Sequence, residues 1–147
     1  MTPVDAANQV LGQFWDLCLP VDPIAIAGGL GIKVYYSNDL KELSGFYDDE
    51  EKEILIHPNE SSQRQRFSIA HELGHCVLGH GTSPRKKHSP AEFKERAANI
   101  FAASLLMPAI TVRTLVEQRG MMFSELCRTF DVSEQAMAIR LSELGII

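Results

Sequence analysis

The chain has 147 residues, the size of one ordinary domain: long enough to bury a core, short for two independent ones. Hydrophobic residues make up 45% and charged residues 22%, close to the soluble globular average, which excludes a disordered or fibrous architecture. A formal net charge of −5 argues against a general nucleic-acid binder, whose surface carries a basic surplus to meet phosphate.

Pro3 to about Cys18 reads as a first helix, with apolar positions at Val4, Val10, Leu11, Phe14 and Leu17. In "VDPIAIAGGLGI" Asp22 caps a short helix, Pro23 fills its first position, and Gly28 and Gly29 end it. "IKVYYS" is β-branched and aromatic, a strand, and the runs Leu43 to Tyr47 and Glu53 to His57 around the polar "DDEEK" read as a hairpin. From about Asn59 the pattern is helical through Leu78, and "GHGTSPRKKHS" is a loop. Ser89, Pro90 and Glu92 form a capping box that opens a second strong helix ending at Met107, where Pro108 breaks it. Ala109 to Ile147 holds helical patterns separated at Gly120 and at Asp131 to Ser133.

This order predicts an α+β fold in which a small antiparallel sheet stands between helices. It is expected as a single domain over 1–147, with a core through residue 108 and an appended helical segment over 109–147 packed on it. Cys18, Cys76 and Cys127 are odd in number and lack C-x-x-C spacing, so they indicate neither a disulfide framework nor a thiolate zinc knuckle. No signal segment or membrane-spanning apolar run is visible, so the expected location is the cytoplasm.

The segment "RFSIAHELGHCVLGH", residues 66–80, sets two histidines four apart with a glutamate between them in an otherwise apolar helix. At about 100° per residue, His75 lies about 40° from His71 and Glu72 about 100° from it, so the polar atoms share one sector. Imidazoles at i and i+4 have Cβ atoms roughly 5–6 Å apart and can converge on one ion at about 2.0–2.1 Å. Glu72 would stand beside that ion as a general base without binding it, the H-E-x-x-H arrangement in which zinc lowers the pKa of water to about 7. The other reading has the histidines bonded to backbone carbonyls and Glu72 paired with Arg64 or Arg66. Burying three titratable groups together is costly unless they are paired or hold a metal, which favours the ion.

A catalytic zinc site needs a third protein ligand. His80 falls at or beyond the helix end and out of phase for that role. Glu95 stands at the height of His75 if the two helices are antiparallel, each about 6–8 Å from the turn. It shares its face with Ala91, Ala98 and Ala102, small enough for close approach, and Asn99 one turn on could accept a ring N–H from a liganding histidine. Glu92, on nearly the same face, is the alternative.

The residues "RQRFSIAHELGHCVLGH" followed by "ERAANIFAASLLMP" resemble the ImmA/IrrE family of bacterial zinc-dependent metallopeptidases. The resemblance extends through "GFYDDEEKEILIHP" to "FDVSEQAMAIRLSELGII", roughly residues 24–147. It implies a gluzincin-like site with His71, His75 and Glu95 on Zn2+, or on Mn2+, and Glu72 as base. Family members, carried on bacterial chromosomes and mobile elements such as prophages, cleave helix-turn-helix repressors, so the implied partner is such a repressor. Many members carry an acidic residue two places before the asparagine, where this chain has Ala97; that removes a competitor to Glu95. Some continue into a sensory domain without a counterpart in this sequence, and the expectation is that a stimulus acts through a partner, expression level or metal supply.

The strand ending "EILIHP" is expected to offer an edge for an extended substrate, and Tyr47, His57 and His88 are candidate oxyanion donors. Two other function classes compete. "LCRTFDVSEQAMAIRLSELG" is patterned like a DNA-binding helix-turn-helix with Ser133 as cap, yet Glu134, Arg140 and Glu143 give its second helix no positive excess, which argues against direct DNA contact. A repressor-binding protein that does not cut would need a closed zinc site, and no cysteine pair supplies one; Cys76 points about 140° from His71 and reads as core.

Overall fold

The structure, a computed structural model, describes residues 1–82 and 91–147, without the side chains of Ala91 and Glu92. The expected Ser89–Pro90–Glu92 capping box and His88 therefore lie outside the described residues and side chains.

Helix α1 spans Pro3–Phe14 and is opened by Thr2, whose Oγ1 accepts from the Asp5 N–H at 3.1 Å. It buries Ala6, Ala7, Val10 and Leu11. The apolar spacing continues to Leu17, but the helix does not. Trp15 is extended, its Nε1 donates to the Cys18 carbonyl at 2.9 Å, and Asp16 Oδ1 accepts from the Cys18 N–H at 2.9 Å. These side chains close a turn in place of another helical one, and Leu17 is left in solvent. Helix α2, Pro23–Gly29, is capped as expected: Asp22 Oδ1 accepts from the N–H groups of Ile24 at 3.0 Å and Ala25 at 3.2 Å.

Three strands follow: β1 (Lys33–Tyr36), β2 (Gly45–Asp48) and β3 (Glu53–Ile56). The hairpin β2–β3 is antiparallel, with Tyr47 opposite Ile54. The sheet as a whole is mixed, in order β1-β3-β2, because β3 pairs with β1 in parallel. A 3-10 turn at Asn38–Leu40 and the stretch to Ser44 carry the chain to the far edge, so β3 returns down the middle. The sequence expectation of β3 as a free edge is thereby corrected: its Ile54 and Ile56 are fully buried, and the edges belong to β1 and β2.

Helix α3, Ser62–Val77, is capped by Ser61 Oγ, which accepts from the Arg64 N–H at 3.2 Å. It lies between the sheet, which it meets through β2 and β3, and α4, Ala91–Leu106. Helix α5 (Ala109–Glu117) starts directly after Pro108, followed by α6 (Phe123–Phe130) and α7 (Glu134–Glu143). Asp131, in the left-handed region at φ 51°, ends α6, and Ser133 Oγ caps α7 by accepting from the Ala136 N–H at 3.1 Å. One buried apolar cluster runs from Ala6 on α1 to Leu141 on α7.

Two arginines tie the C-terminal helices to this core. Arg66 on α3 donates to the carbonyls of Val21 at 2.7 Å and Phe130 at 3.4 Å, and pairs with Asp131 Oδ2 at 3.4 Å. Arg140, itself buried, donates through Nε to the Met107 carbonyl at 2.9 Å, satisfying an acceptor at the end of α4. Among the described residues no single helix is long and apolar enough to cross a membrane.

Candidate metal centre

The i, i+4 spacing on α3 does what a helical pitch dictates: the His71 and His75 rings meet edge to face with centroids 4.7 Å apart, and their Nε2 atoms are 3.1 Å apart. From α4 the Glu95 carboxylate spans both, with Oε2 at 2.9 Å from His71 Nε2 and Oε1 at 2.8 Å from His75 Nε2. One ligand atom from each of the three lies within 4.8 Å of the others. His75 is fully buried, and Glu72, on the neighbouring strip of the helix, is 5% exposed.

Main-chain proximity makes this reach possible. A Cβ on Gly74 would stand 3.1 Å from Ala98 Cα and 3.2 Å from Ala98 O, so α3 and α4 touch backbone to backbone one residue from His75. The alanine face inferred from the sequence is there, with Ala98 and Ala102 both fully buried. On the sheet side, Gly45 of β2 lies against Glu72: a Cβ there would come within 3.2 Å of Glu72 Cγ and 3.4 Å of its Oε1.

The back nitrogens of both rings are also held. Asn99 Oδ1 lies 2.7 Å from His71 Nδ1, and His80 Nδ1 lies 3.0 Å from His75 Nδ1. With an amide oxygen behind it, His71 carries its proton on Nδ1 and turns a bare Nε2 lone pair toward a carboxylate, which is acceptor only. Such a set of lone pairs is stable only around a cation, whether a proton or a metal ion. The protein groups alone answer with a proton. Although burial opposes it, the Glu95 hydrogen bond and the charges of Glu72 and Glu95 hold the His71 pKa above its ordinary value. Hydrogen bonds from His71 and His75 hold Glu95 far below the usual carboxylate range. Two imidazoles and a carboxylate also match the donor set of an open zinc site, whose tetrahedral ligands stand about 3.3 Å apart. The residues fit the ion that the motif implies.

The other sequence candidates are placed elsewhere. Arg64 pairs with Glu60 at 2.9 Å, and Arg66 is engaged as described above. Tyr47 is fully buried, and its hydroxyl donates to Asp49 Oδ1 at 2.9 Å. Burial, followed by hydrogen bonds to Cys76 and Asp49, pushes its pKa well above the usual phenol value. Cys76 is thus a neighbour of Tyr47 on the sheet side of α3, as its phase on the helix predicts. His57 Nδ1 accepts from the Asn59 N–H at 3.1 Å and shapes a turn. The Glu92 side chain lies outside what is described. His80, discounted as a ligand, stands behind His75, and its contact is the feature that sequence phase alone missed.

The model of the IrrE N-terminal-like domain, Peptidase_M78, matches residues 27–142. The radiation response metalloprotease IrrE of Deinococcus deserti is 35% identical over 109 residues, covering 67% of this chain and 39% of that protein. The metallopeptidase ImmA of Bacillus subtilis is 30% identical over 121 residues, covering 77% of this chain and 72% of that one. The chain thus spans well under half the length of the Deinococcus relative and most of the Bacillus one. A solved structure of a Mycobacterium tuberculosis transcriptional regulator superposes with a TM-score of 0.69 at 18% identity, over 95% of this chain and 46% of that one, a likeness of fold alone. A match over most of its length and a paired histidine–glutamate cluster on facing helices place the chain in the Peptidase_M78 family of metallopeptidases, those built on the IrrE N-terminal-like domain.

Proposed function

We propose that this chain is a zinc-dependent endopeptidase that cleaves a helix-turn-helix transcriptional repressor and so relieves repression. The convergence of His71, His75 and Glu95, with Glu72 buried beside them, carries the chemical part of the reading. His71, His75 and Glu95 hold the ion; imidazole with one carboxylate suits zinc, and manganese is the other candidate. A bound divalent ion supplies Lewis-acid polarisation of the scissile carbonyl and acidifies water next to it. Glu72 takes the proton from the attacking water and returns it to the leaving amine, acting as base and then as acid. Asn99 keeps the His71 ring turned so that Nε2 faces inward. The substrate adds as an extended strand along β2, an edge strand among the described residues, whose Gly45 lies against Glu72.

The repressor as substrate is supported by the resemblance to ImmA/IrrE proteins. DNA contact by α6 and α7 is disfavoured: Arg140 is buried on the Met107 carbonyl, and the remaining charges of α7, Glu134 and Glu143, are acidic and exposed. The test mixes the purified zinc-loaded chain with the helix-turn-helix repressor encoded beside it, with Glu72→Gln as control. Intact repressor should disappear at least about 100-fold faster with the unaltered chain. Equal persistence of the repressor in both reactions would refute cleavage.

A further inference from the structure

His80 lies just past the end of α3, and the way the helix ends explains why it comes back. Leu78 is the C-cap, and Gly79 takes φ +71°, a left-handed conformation natural to glycine. The Gly79 N–H bonds the Cys76 carbonyl at 3.1 Å and the His80 N–H bonds the His75 carbonyl at 2.9 Å, the paired bonds of a Schellman motif. That motif sets the residue two past the cap over the third residue from the helix end, usually as an apolar contact. Here the two residues are His80 and His75, and the contact is polar. The rings lie 5.2 Å apart at 61°, with Nδ1 to Nδ1 at 3.0 Å. His80 thus grips His75 twice, by main chain at its carbonyl and by side chain at its ring.

We propose that His80 is a positioning residue for the metal centre, fixing the ring and tautomer of His75. The inference rests on the reading of His71, His75 and Glu95 as ligands. A ring that gives its Nε2 lone pair to an ion keeps its proton on Nδ1, and the fully buried His75 needs an acceptor for that proton. His80 Nδ1 is that acceptor, which puts the His80 proton on its own Nε2. The two ligand histidines are then oriented by different means: His71 from the facing helix through Asn99, His75 from the cap of its own helix.

The test measures zinc affinity of the full chain by chelator competition and the visible spectrum after cobalt substitution, for wild type, His80→Phe and His80→Asn. Phenylalanine keeps an aromatic ring without an acceptor; asparagine keeps an oxygen near the Nδ1 position without the ring. Far-UV circular dichroism without metal identifies the folded variants to be compared. His80→Phe should lose about 10- to 100-fold in zinc affinity and change the cobalt spectrum, whereas His80→Asn should recover most of both. Wild-type affinity in His80→Phe, or an asparagine variant as weak as the phenylalanine one, would overturn the proposal while leaving the ligand set intact. A wild-type chain that takes up no zinc would overturn the ligand reading and this proposal together.

Discussion

Two helix pairs in this chain look alike as patterns and differ in what they bury. Helices α3 and α4 meet where Gly74 faces Ala98, and the room saved by missing side chains is filled by His71, His75 and Glu95. Helices α6 and α7 contribute Leu126, Phe130, Met137 and Leu141 to the apolar core and leave Glu125, Arg128, Glu134 and Glu143 in solvent. The buried charge of the second pair, Arg140, is used on one backbone carbonyl. A fully buried histidine that meets a second imidazole and a partly exposed carboxylate favours a shared cation, whereas a single buried cation on a helix end is a structural tie. By this criterion the first pair is the candidate site, and the second packs against the core.

The strongest way to break that contrast is Gly74→Val. Its side chain would collide with Ala98 Cα and O and with Phe101 Cβ, push α4 outward and carry Glu95 away from the histidines. Denaturant unfolding should show a loss of about 3 kcal/mol, and zinc affinity should fall with it. Next in size, Arg140→Met should cost about 1–2 kcal/mol by stranding the Met107 carbonyl, with zinc affinity unchanged. A drop in metal binding in that variant would erase the distinction between the pairs. The smallest effect lies on the sheet side of α3 and appears only in alkali. The folded-state pKa of Tyr47 is raised above its unfolded value of about 10, so the protonated phenol favours folding below that pH and the stability it contributes is lost as pH climbs past it. In a Tyr35→Phe, Tyr36→Phe background, tyrosinate absorbance should appear only together with unfolding.

How much of this was legible depended on whether the signal was local. Asp22 and Ser133 announce their helices because a cap bonds N–H groups two or three residues away. The juxtaposition of His71 and His75 follows from helical pitch, and that of Glu95 from equal heights on antiparallel helices. Strand order was not legible: alternation says which face a residue takes, but nothing about β3 entering between β1 and β2. The end of α1 was missed because bonds from Trp15 and Asp16 overrode a continuing apolar period. His80 was read as lying at or beyond the helix end, as it does, but the left-handed glycine that turns its ring back onto His75 was not legible.

Gly45 carries a further consequence. A methyl group at that point of β2 would press on Glu72 and on Ile56 Cδ1 at 3.3 Å, pinning the carboxylate in one rotamer. With only hydrogen there, the Glu72 carboxylate keeps the clearance that its proposed proton transfers would use. On the proposed mechanism, turnover is thereby tied to an atom that the edge strand does not have.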